Sequence, residues 1–537
     1  MQVGIEGLNA TPEELESLVE RARPALDEAG YQKLKAAVRT LGVVTALIQS
    51  QETTLQSLRN LLCASQTEKT TAVLKRYGVD TSLSPKPPKP KPPGHGRHGA
   101  AAYRGAHKIH VPHVSLKSGD GCPDCQSGKV YLQRDPGVLV RLIGQAPIDA
   151  TVYQLEKLRC NLCGEVFTAK APDDAGDEKY DPTAASMIAV LRYGGGFPMS
   201  RIEKLENSLG IPLPASIQWE TVCAMAERIE PALEELIRQA AQGAVLHNDD
   251  TSMTVLSLRR EIQDETDESG RTGIFTSGIV STRQGRQIAL FFTGRQHAGE
   301  NLAAILAKRA SASGPPIQMC DALARNLPKM PRMPETLEVI VSHCLAHARR
   351  RFVEVTPSFP DACRHVLEVL GKVYHHDALA GKQKLSAEER LLYHQQYSGP
   401  VMDQLQQWLR AQLEEKKVEP NSGLGVAIGY LLKYWERLTL FLRQAGAPLD
   451  NNVCERSLKK AILHRKNSLF YKTEKGAEVG DLFMSLIHTT ELCGANPFDY
   501  LTQLQYHAEQ LDLHPQDWMP WNYLETLHLA AVAVDSG

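Results

Sequence analysis

Ala244-Val-Leu-His-Asn-Asp-Asp-Thr-Ser-Met-Thr-Val-Leu256 is the stretch where the helical periodicity of residues 181–242 stops and a β-branched, strand-like pattern begins. The expected strand enters at Ala244, carries Asp249 and Asp250 in its middle, and continues through Met253–Leu256. Two more strand candidates follow, Gly273–Thr282 and Gln287–Thr293, and then an amphipathic helix from Glu300 to Arg309. Ile317-Gln-Met-Cys-Asp321 is a short apolar strand that delivers an acid at its C-terminal end. Leu337-Glu-Val-Ile-Val341 is a fifth strand, leading into a helix that holds Cys344, His347, Arg349, Arg350 and Arg351. Three strands, a helix, a strand ending in Asp and another strand form the order of an RNase H-like core. Its first and fourth strands lie side by side, so Asp249 and Asp321 are expected to meet.

A third acid comes from far along the chain. In Leu449-Asp-Asn-Asn-Val-Cys-Glu455-Arg456, the Asp and Asn residues read as a helix cap that places Glu455 about one turn inside. Arg456, Lys459, Lys460, Arg465 and Lys466 follow it. One reading is a solvated basic helix with an ordinary Glu. The other is a carboxylate that holds a metal ion against a phosphodiester, with cations for the flanking phosphates. Residues 357–445 between the two halves of the core are expected to be a helical insertion, with Trp408 and Trp435 as its aromatic content.

The chain has 537 residues, of which 42% are hydrophobic and 23% charged, so several domains of ordinary globular composition are expected. A net charge of −2 does not point to nucleic acid, so any polyanion site must come from local clustering. Such a cluster lies in residues 84–108, which carry six Lys or Arg and no acid. Its Pro-rich beginning, Ser84-Pro-Lys-Pro-Pro-Lys-Pro-Lys-Pro-Pro-Gly94, excludes helix and central strand. Arg97, Arg104 and Lys108 on this arm suit contact with DNA phosphates, and a plain solvated linker is the competing reading.

Upstream, Leu34, Leu41, Ile48, Leu55 and Leu62 recur at sevens, the seam of a short coiled coil expected to join two copies of the chain. Downstream, Cys122-Pro-Asp-Cys125 and Cys160-Asn-Leu-Cys163 are two thiol knuckles. Four such sulfurs make a closed tetrahedral site, so structural Zn²⁺ in a zinc ribbon is expected. Pro198–Gly210 followed by Ala215–Val222 has the spacing of a helix-turn-helix, a pattern shared by helical hairpins that never touch DNA. The N-terminus has no basic start before an apolar run, and no stretch approaches the ~18 apolar residues of a membrane span. A cytoplasmic protein without a membrane partner is therefore expected, with its eleven Cys as buried thiols or metal ligands.

Five segments then carry a family resemblance: His247-Asn-Asp-Asp-Thr251, Cys344-Leu-Ala-His347-Ala-Arg349-Arg350-Arg-Phe352, Asp450-Asn-Asn-Val-Cys-Glu455-Arg456, Arg465-Lys466-Asn467-Ser-Leu-Phe470 and Asn496-Pro497-Phe-Asp-Tyr500-Leu501. In order they resemble the motifs of the insertion sequence 66 family of bacterial transposases. The resemblance implies a DDE transposase with Asp249, Asp321 and Glu455 as its three carboxylates. It further implies two Mg²⁺, replaceable by Mn²⁺, about 4 Å apart. The expected reaction hydrolyses the ends of the element to free 3′-hydroxyls and joins them to target DNA. The implied partners are the terminal inverted repeats, target DNA, a homodimer or higher oligomer, and two small accessory proteins of the same element, at the bacterial nucleoid. The family usually has Asp-Glu-Thr where this chain has Asp249-Asp250-Thr251, and Asp-Gly-Tyr where it has Asp321-Ala322-Leu323.

The expected architecture is multidomain, α/β and α. N-terminal helices (1–83) are followed by a basic linker (84–115), a zinc ribbon (116–172), a helical region (173–242), the first part of the core (243–356), the insertion (357–445), the second part of the core (446–505) and a tail (506–537). Two other functions fit parts of the pattern: a non-catalytic zinc-ribbon DNA-binding regulator, and an RNase H-like nuclease or junction resolvase without strand transfer.

Overall fold

The computed structural model describes residues 12–49, 69–76, 109–132, 139, 146–159, 161, 166–176, 178–263, 270–328 and 338–535. The chain forms two compact units, one built from Met1–Ser82, Arg349–Gly371 and Asn421–Leu424, the other from Leu83–Ala348, Lys372–Pro420 and Gly425–Gly537.

In the smaller unit, helices Pro12–Ala22 and Glu28–Gln49 form a hairpin. Tyr31 is buried between them, and its hydroxyl donates to Glu20 at 2.6 Å while Lys35 Nζ reaches the same carboxylate at 2.6 Å. Leu34, the first residue of the heptad series, is exposed on the second helix. Leu55 and Leu62 of that series lie outside the described residues, as do Arg97, Arg104, Lys108, Cys160 and Cys163.

The larger unit holds a small antiparallel ribbon, β1 (Lys157–Arg159) with β2 (Val166–Thr168), and a five-stranded mixed sheet. The sheet consists of β3 (Val245–Ser252), β4 (Phe275–Arg283), β5 (Arg286–Gly294), β6 (Ile317–Cys320) and β7 (Ile340–His343), in the order β5-β4-β3-β6-β7. β3, β4 and β5 form an antiparallel meander; β6 lies parallel to β3, and β7 parallel to β6. The meander arises from the tight Gln284-Gly285 turn, where both residues have positive φ, and from β-branched residues that suit the pleat.

Two helices from the last third of the chain lie against this sheet, Asn452–Ser468 on β3 and β4 and Glu474–Leu492 on β5. The helix Ala215–Ala240 buries Gln218, Val222, Met225, Ile229 and Leu236 in the same apolar core, and helix Met199–Ser208 precedes it. The second member of the helix-turn-helix pattern is thus a 26-residue helix that takes part in the core along its length. Among the described residues no helix is long and apolar enough to cross a membrane.

One element differs from the expectation. Met253–Leu256 does not continue the strand: a helix, Leu256–Gln263, begins there, and only Val255 bridges Tyr471. The carbonyls of Tyr471 and Lys472 accept from the amides of Leu256 and Ser257, at 2.9 and 3.1 Å, and so satisfy the first free N–H groups of that helix. The β-branched pattern could not reveal these partners, because they come from a segment some two hundred residues later.

His464 sits in this core between Tyr193 and Tyr471, with ring centroids at 6.2 and 4.8 Å, and neither ring nitrogen has a hydrogen-bond partner. Burial, with Arg192 nearby, lowers its pKa from the usual 6.5 to about 3. The folded protein keeps this ring neutral while the unfolded chain takes up a proton below about pH 6.5. Its contribution to stability is therefore complete above that pH and is lost as pH falls toward 3. His464→Phe is expected to raise the unfolding free energy read from urea titration at pH 5 more than at pH 8, by an additional margin of about 1–2 kcal/mol. An equal change at both pH values would show that the ring titrates normally.

Candidate active site

Successive side chains of a strand point to opposite faces, and Asp249 and Asp250 near the end of β3 divide the sheet accordingly. Asp250 has a buried side chain. Its Oδ1 accepts from Ser277 Oγ and from Ala298 N, each at 2.8 Å, and its Oδ2 lies 2.9 Å from His297 Nδ1. This carboxylate anchors the start of helix Ala298–Leu306.

Asp249 engages a different set of groups. Its Oδ1 accepts from Asp250 N at 2.8 Å and from Asn326 Nδ2 at 3.4 Å. The same Asn326 amide donates to Asp321 Oδ1, so one nitrogen bridges the two carboxylates. The parallel register explains the meeting: His247 pairs with Met319, and two residues further on the strands deliver Asp249 and Asp321. Burial raises the Asp249 pKa to about 6; Asp321 pushes in the same direction, while His347 works against it.

Asn326 is held in turn by buried amides. Its carbonyl accepts from Asn248 Nδ2 at 2.8 Å and from Gln318 Nε2 at 2.6 Å, and Gln318 also donates to Asn248 Oδ1 at 2.9 Å. Sequence reasoning missed Asn326, and no local pattern marks it, since an Asn in a loop after a strand is commonplace.

Glu455 stands in the first turn of helix Asn452–Ser468; Asn451 precedes that helix without a side-chain capping bond, and Asp450 Oδ1 accepts from Asn452 N at 3.1 Å. Asn451 is fully buried: its Nδ2 donates to Asn248 O at 3.1 Å, and its Oδ1 lies 3.1 Å from His247 Nδ1. The two residues just before Asp249 are thereby tied to the start of the Glu455 helix. Truncating Asn451 to Ala leaves a buried carbonyl and an imidazole unsatisfied, and a loss of about 3 kcal/mol in urea unfolding is expected. A loss well under about 1 kcal/mol would mean that the tie carries no weight.

His347 Nδ1 is 3.7 Å from Glu455 Oε1 and is buried without a hydrogen bond. Cys344, His347 and Glu455 bring ligand atoms within 4.8 Å of one another; among the described residues they are the one such group of three or more. Asp249, Asp321 and Glu455 do not gather that tightly. Asp249 and Asp321 form one pair, Glu455 and His347 another, and His347 acts electrostatically on Asp249. Cys344 Sγ accepts from Asn451 N at 3.2 Å, and burial pushes its thiol up to about 12.

The cations after Glu455 have different surroundings. Arg456, Lys459 and Lys466 are exposed. Lys460 pairs with Glu491 at 2.9 Å, and Arg465 donates to Thr251 Oγ1 at 3.2 Å and Ser252 Oγ at 2.7 Å, fastening the helix to the end of β3. Arg349 donates to Thr70 Oγ1 at 3.2 Å, and Arg350 beside it is half-buried.

At the first thiol knuckle, the amide of Cys122 donates to Gly128 O at 2.8 Å, and Gly121 bridges Lys129. Hydrogen bonds from the backbone of Ser127 and Gly128 lower the Cys125 thiol to about 7.

A mixed sheet whose adjacent parallel strands present a bridged carboxylate pair, with a late helix supplying a third acid beside an imidazole, defines an α/β protein with a candidate metal-dependent centre. The chain belongs to the transposase IS66 family, whose match spans residues 178–479. It is also similar to three proteins of Sinorhizobium fredii (strain NBRC 101917 / NGR234), each named as an uncharacterized protein. y4jD is 36% identical over 168 residues, 30% of this chain and 32% of that protein. y4hP is 24% identical over 388 residues, 68% of this chain and 67% of that protein, and y4qI is 24% identical over 361 residues, 63% and 61%. The chain thus spans from about a third to about two thirds of these relatives. No solved structure matches.

Proposed function

We propose that this chain is a DDE transposase with an RNase H-like core, in which Asp249, Asp321 and Glu455 hold divalent cations for cleavage and strand transfer of DNA. The observation that carries the reading is the bridged Asp249–Asp321 pair on adjacent parallel strands, with Glu455 fastened to the same strand through Asn451. The sheet order and the family match support it.

The donor set suits the metal. Two carboxylates sharing one amide, one of them with its pKa raised to about 6, form a site where a cation relieves repulsion. Carboxylate oxygens favour a hard ion such as Mg²⁺. Burial pushes the Cys344 thiol up to about 12 and its Sγ already accepts a backbone hydrogen bond, so it suits a hard ion less well than the carboxylates do. When bound, the divalent ions would lower the pKa of an attacking water or 3′-hydroxyl and offset charge on the departing oxygen.

Asn326 keeps the two Asp carboxylates facing one another, and His347 lies against Glu455. Arg456, Lys459 and Lys466 are exposed for flanking phosphates, and Arg465 acts by fastening the helix. In the first reaction a water oxygen bonds to phosphorus and the phosphorus–O3′ bond breaks, freeing a 3′-hydroxyl. In the second that hydroxyl bonds to a target phosphorus and displaces another 3′-oxygen. No protein nucleophile is needed.

At the N-terminal side, Cys122, Cys125, Cys160 and Cys163 are assigned to structural Zn²⁺. The lowered Cys125 thiol supports this, since thiolate is the ligating form. The helix Glu28–Gln49 is assigned to self-association, and DNA is the assigned partner. Incubating the purified chain with end-sequence DNA, a target plasmid and Mg²⁺ tests the reading. Joined end–target products are expected, whereas cut ends that never become joined would favour the nuclease reading, and intact DNA the regulator.

A further inference from the structure

A cavity of about 570 Å³ lies in the larger unit, away from the carboxylates, and the proposed chemistry makes no use of it. Arg192, Ser200, Ser216, Trp219, Phe470 and Lys472 line it. The volume is within the range of sites for small organic ligands. Trp219 and Phe470 are half-buried and supply aromatic surface, while Lys472 is exposed.

Arg192 is the unusual member. It is only 9% exposed, no carboxylate pairs with it among the described residues, and its Nε has no hydrogen-bond partner. Its Nη1 is held by Ser468 Oγ and, at 3.4 Å, by Phe197 O. A buried guanidinium without an acid is costly unless an anion completes it. Ser200 and Ser216 stand at the starts of helices Met199–Ser208 and Ala215–Ala240, which follow Pro198 and Pro214 and have no side-chain cap. At the second of these starts Glu203 Oε2 accepts from Ala215 N at 3.3 Å, so it is the start of helix Met199–Ser208 that adds free N–H groups and partial positive charge. No lining residue is acidic.

We propose that this cavity binds one unpaired nucleotide of a DNA strand, its base against Trp219 and Phe470 and its phosphate at Arg192, Lys472 and the start of helix Met199–Ser208. An aromatic wall joined to a cationic end matches a ligand that is planar at one side and anionic at the other. The inference rests on DNA being the polymer this chain handles. Ser468, at the cavity, ends the helix on which Glu455 stands in the first turn. Thirteen residues at about 1.5 Å each separate them, so the cavity is about 20 Å along that helix from the third acid. A strand gripped there would be held several nucleotides from the bond that is cut.

The test is fluorescence anisotropy with the full, zinc-loaded chain in buffer free of Mg²⁺ and Mn²⁺ and without chelator, comparing a labelled duplex that ends in a short single-stranded overhang with the blunt duplex of the same sequence. Overhang binding about tenfold tighter than blunt binding is expected. Trp219→Leu and Arg192→Gln are expected to abolish that preference while leaving blunt affinity unchanged. Should Arg192→Gln fail to fold, Trp219→Leu together with Phe470→Leu carries the test.

Equal binding of the two duplexes by the unmodified chain, or a preference that survives Trp219→Leu, overturns the proposal. Displacement of the overhang by inorganic phosphate as effective as that by an unlabelled oligonucleotide reduces the cavity to a phosphate site and also overturns it. Mg²⁺ and Mn²⁺ are absent from the assay, so a failure of the carboxylate assignment leaves its result unaffected. A chain that binds neither duplex overturns the DNA reading together with this one.

Discussion

Asp249→Ala and Glu455→Ala are each expected to reduce Mg²⁺-dependent end cleavage by at least about 10³-fold while changing affinity for end-sequence DNA by less than about threefold. The asymmetry follows from location. Both acids belong to the cluster of carboxylates and His347, whereas Arg456, Lys459 and Lys466 offer exposed positive charge that these substitutions leave in place. Asp250→Asn is the control. An Asn there retains an oxygen for Ser277 Oγ and Ala298 N, so cleavage within about tenfold of the unmodified chain is expected. Cleavage that survives Asp249→Ala but collapses with Asp250→Asn would reverse the assignment of the two neighbours.

Gly278→Ala is expected to cost about 1–3 kcal/mol in urea unfolding and to lower cleavage by about a hundredfold. Gly278 pairs with Asp249 across β3 and β4, and a Cβ there would sit 2.8 Å from both Cγ and Cδ2 of Leu458. Leu458 is buried on the Glu455 helix, one turn past Cys454, whose thiol donates to Gly278 O at 3.2 Å. An added methyl therefore pushes the third acid's helix off the strand that bears the first. Combining Gly278→Ala with Leu458→Ala should give a loss well below the sum of the two single losses, because the second change removes the clash. Additive losses would show that the helix is not seated on this glycine.

Alternation and β-branching marked β3, β4 and β5 within a few residues of their positions, and the run Ile317–Cys320 marked β6. Their expected order, with the first and fourth core strands adjacent, agrees with the parallel pairing of β3 and β6. The last strand lies at Ile340–His343, later than Leu337–Val341 suggested, because pairing with β6 runs on through the polar Ser342 and His343 after the apolar run ends; Leu337 itself lies outside the described residues. Met253–Leu256 misled because strand-forming residues there meet carbonyls that only tertiary contact supplies.

The site shows the same division. Motif residues were visible as residue types: an Asp pair, a strand ending in Asp, a capped helix with an early Glu. The separate duties of Asp249 and Asp250 were not visible, since two adjacent acids look alike until a strand turns them to opposite faces, one toward Asn326 and the other toward Ala298 and Ser277. Nor could the cation run after Glu455 be sorted by sequence, where Lys460 and Arg465 look as available as Lys459 and Lys466.

By itself the sequence determined most of the elements and their order and marked three candidate acids, because periodicity and strand-end placement are local properties of side chains. Only the tertiary structure decided which carboxylates share an amide, which thiol accepts a backbone hydrogen bond and which cations remain exposed. Those outcomes depend on burial and on partners that the chain brings together across as many as two hundred residues.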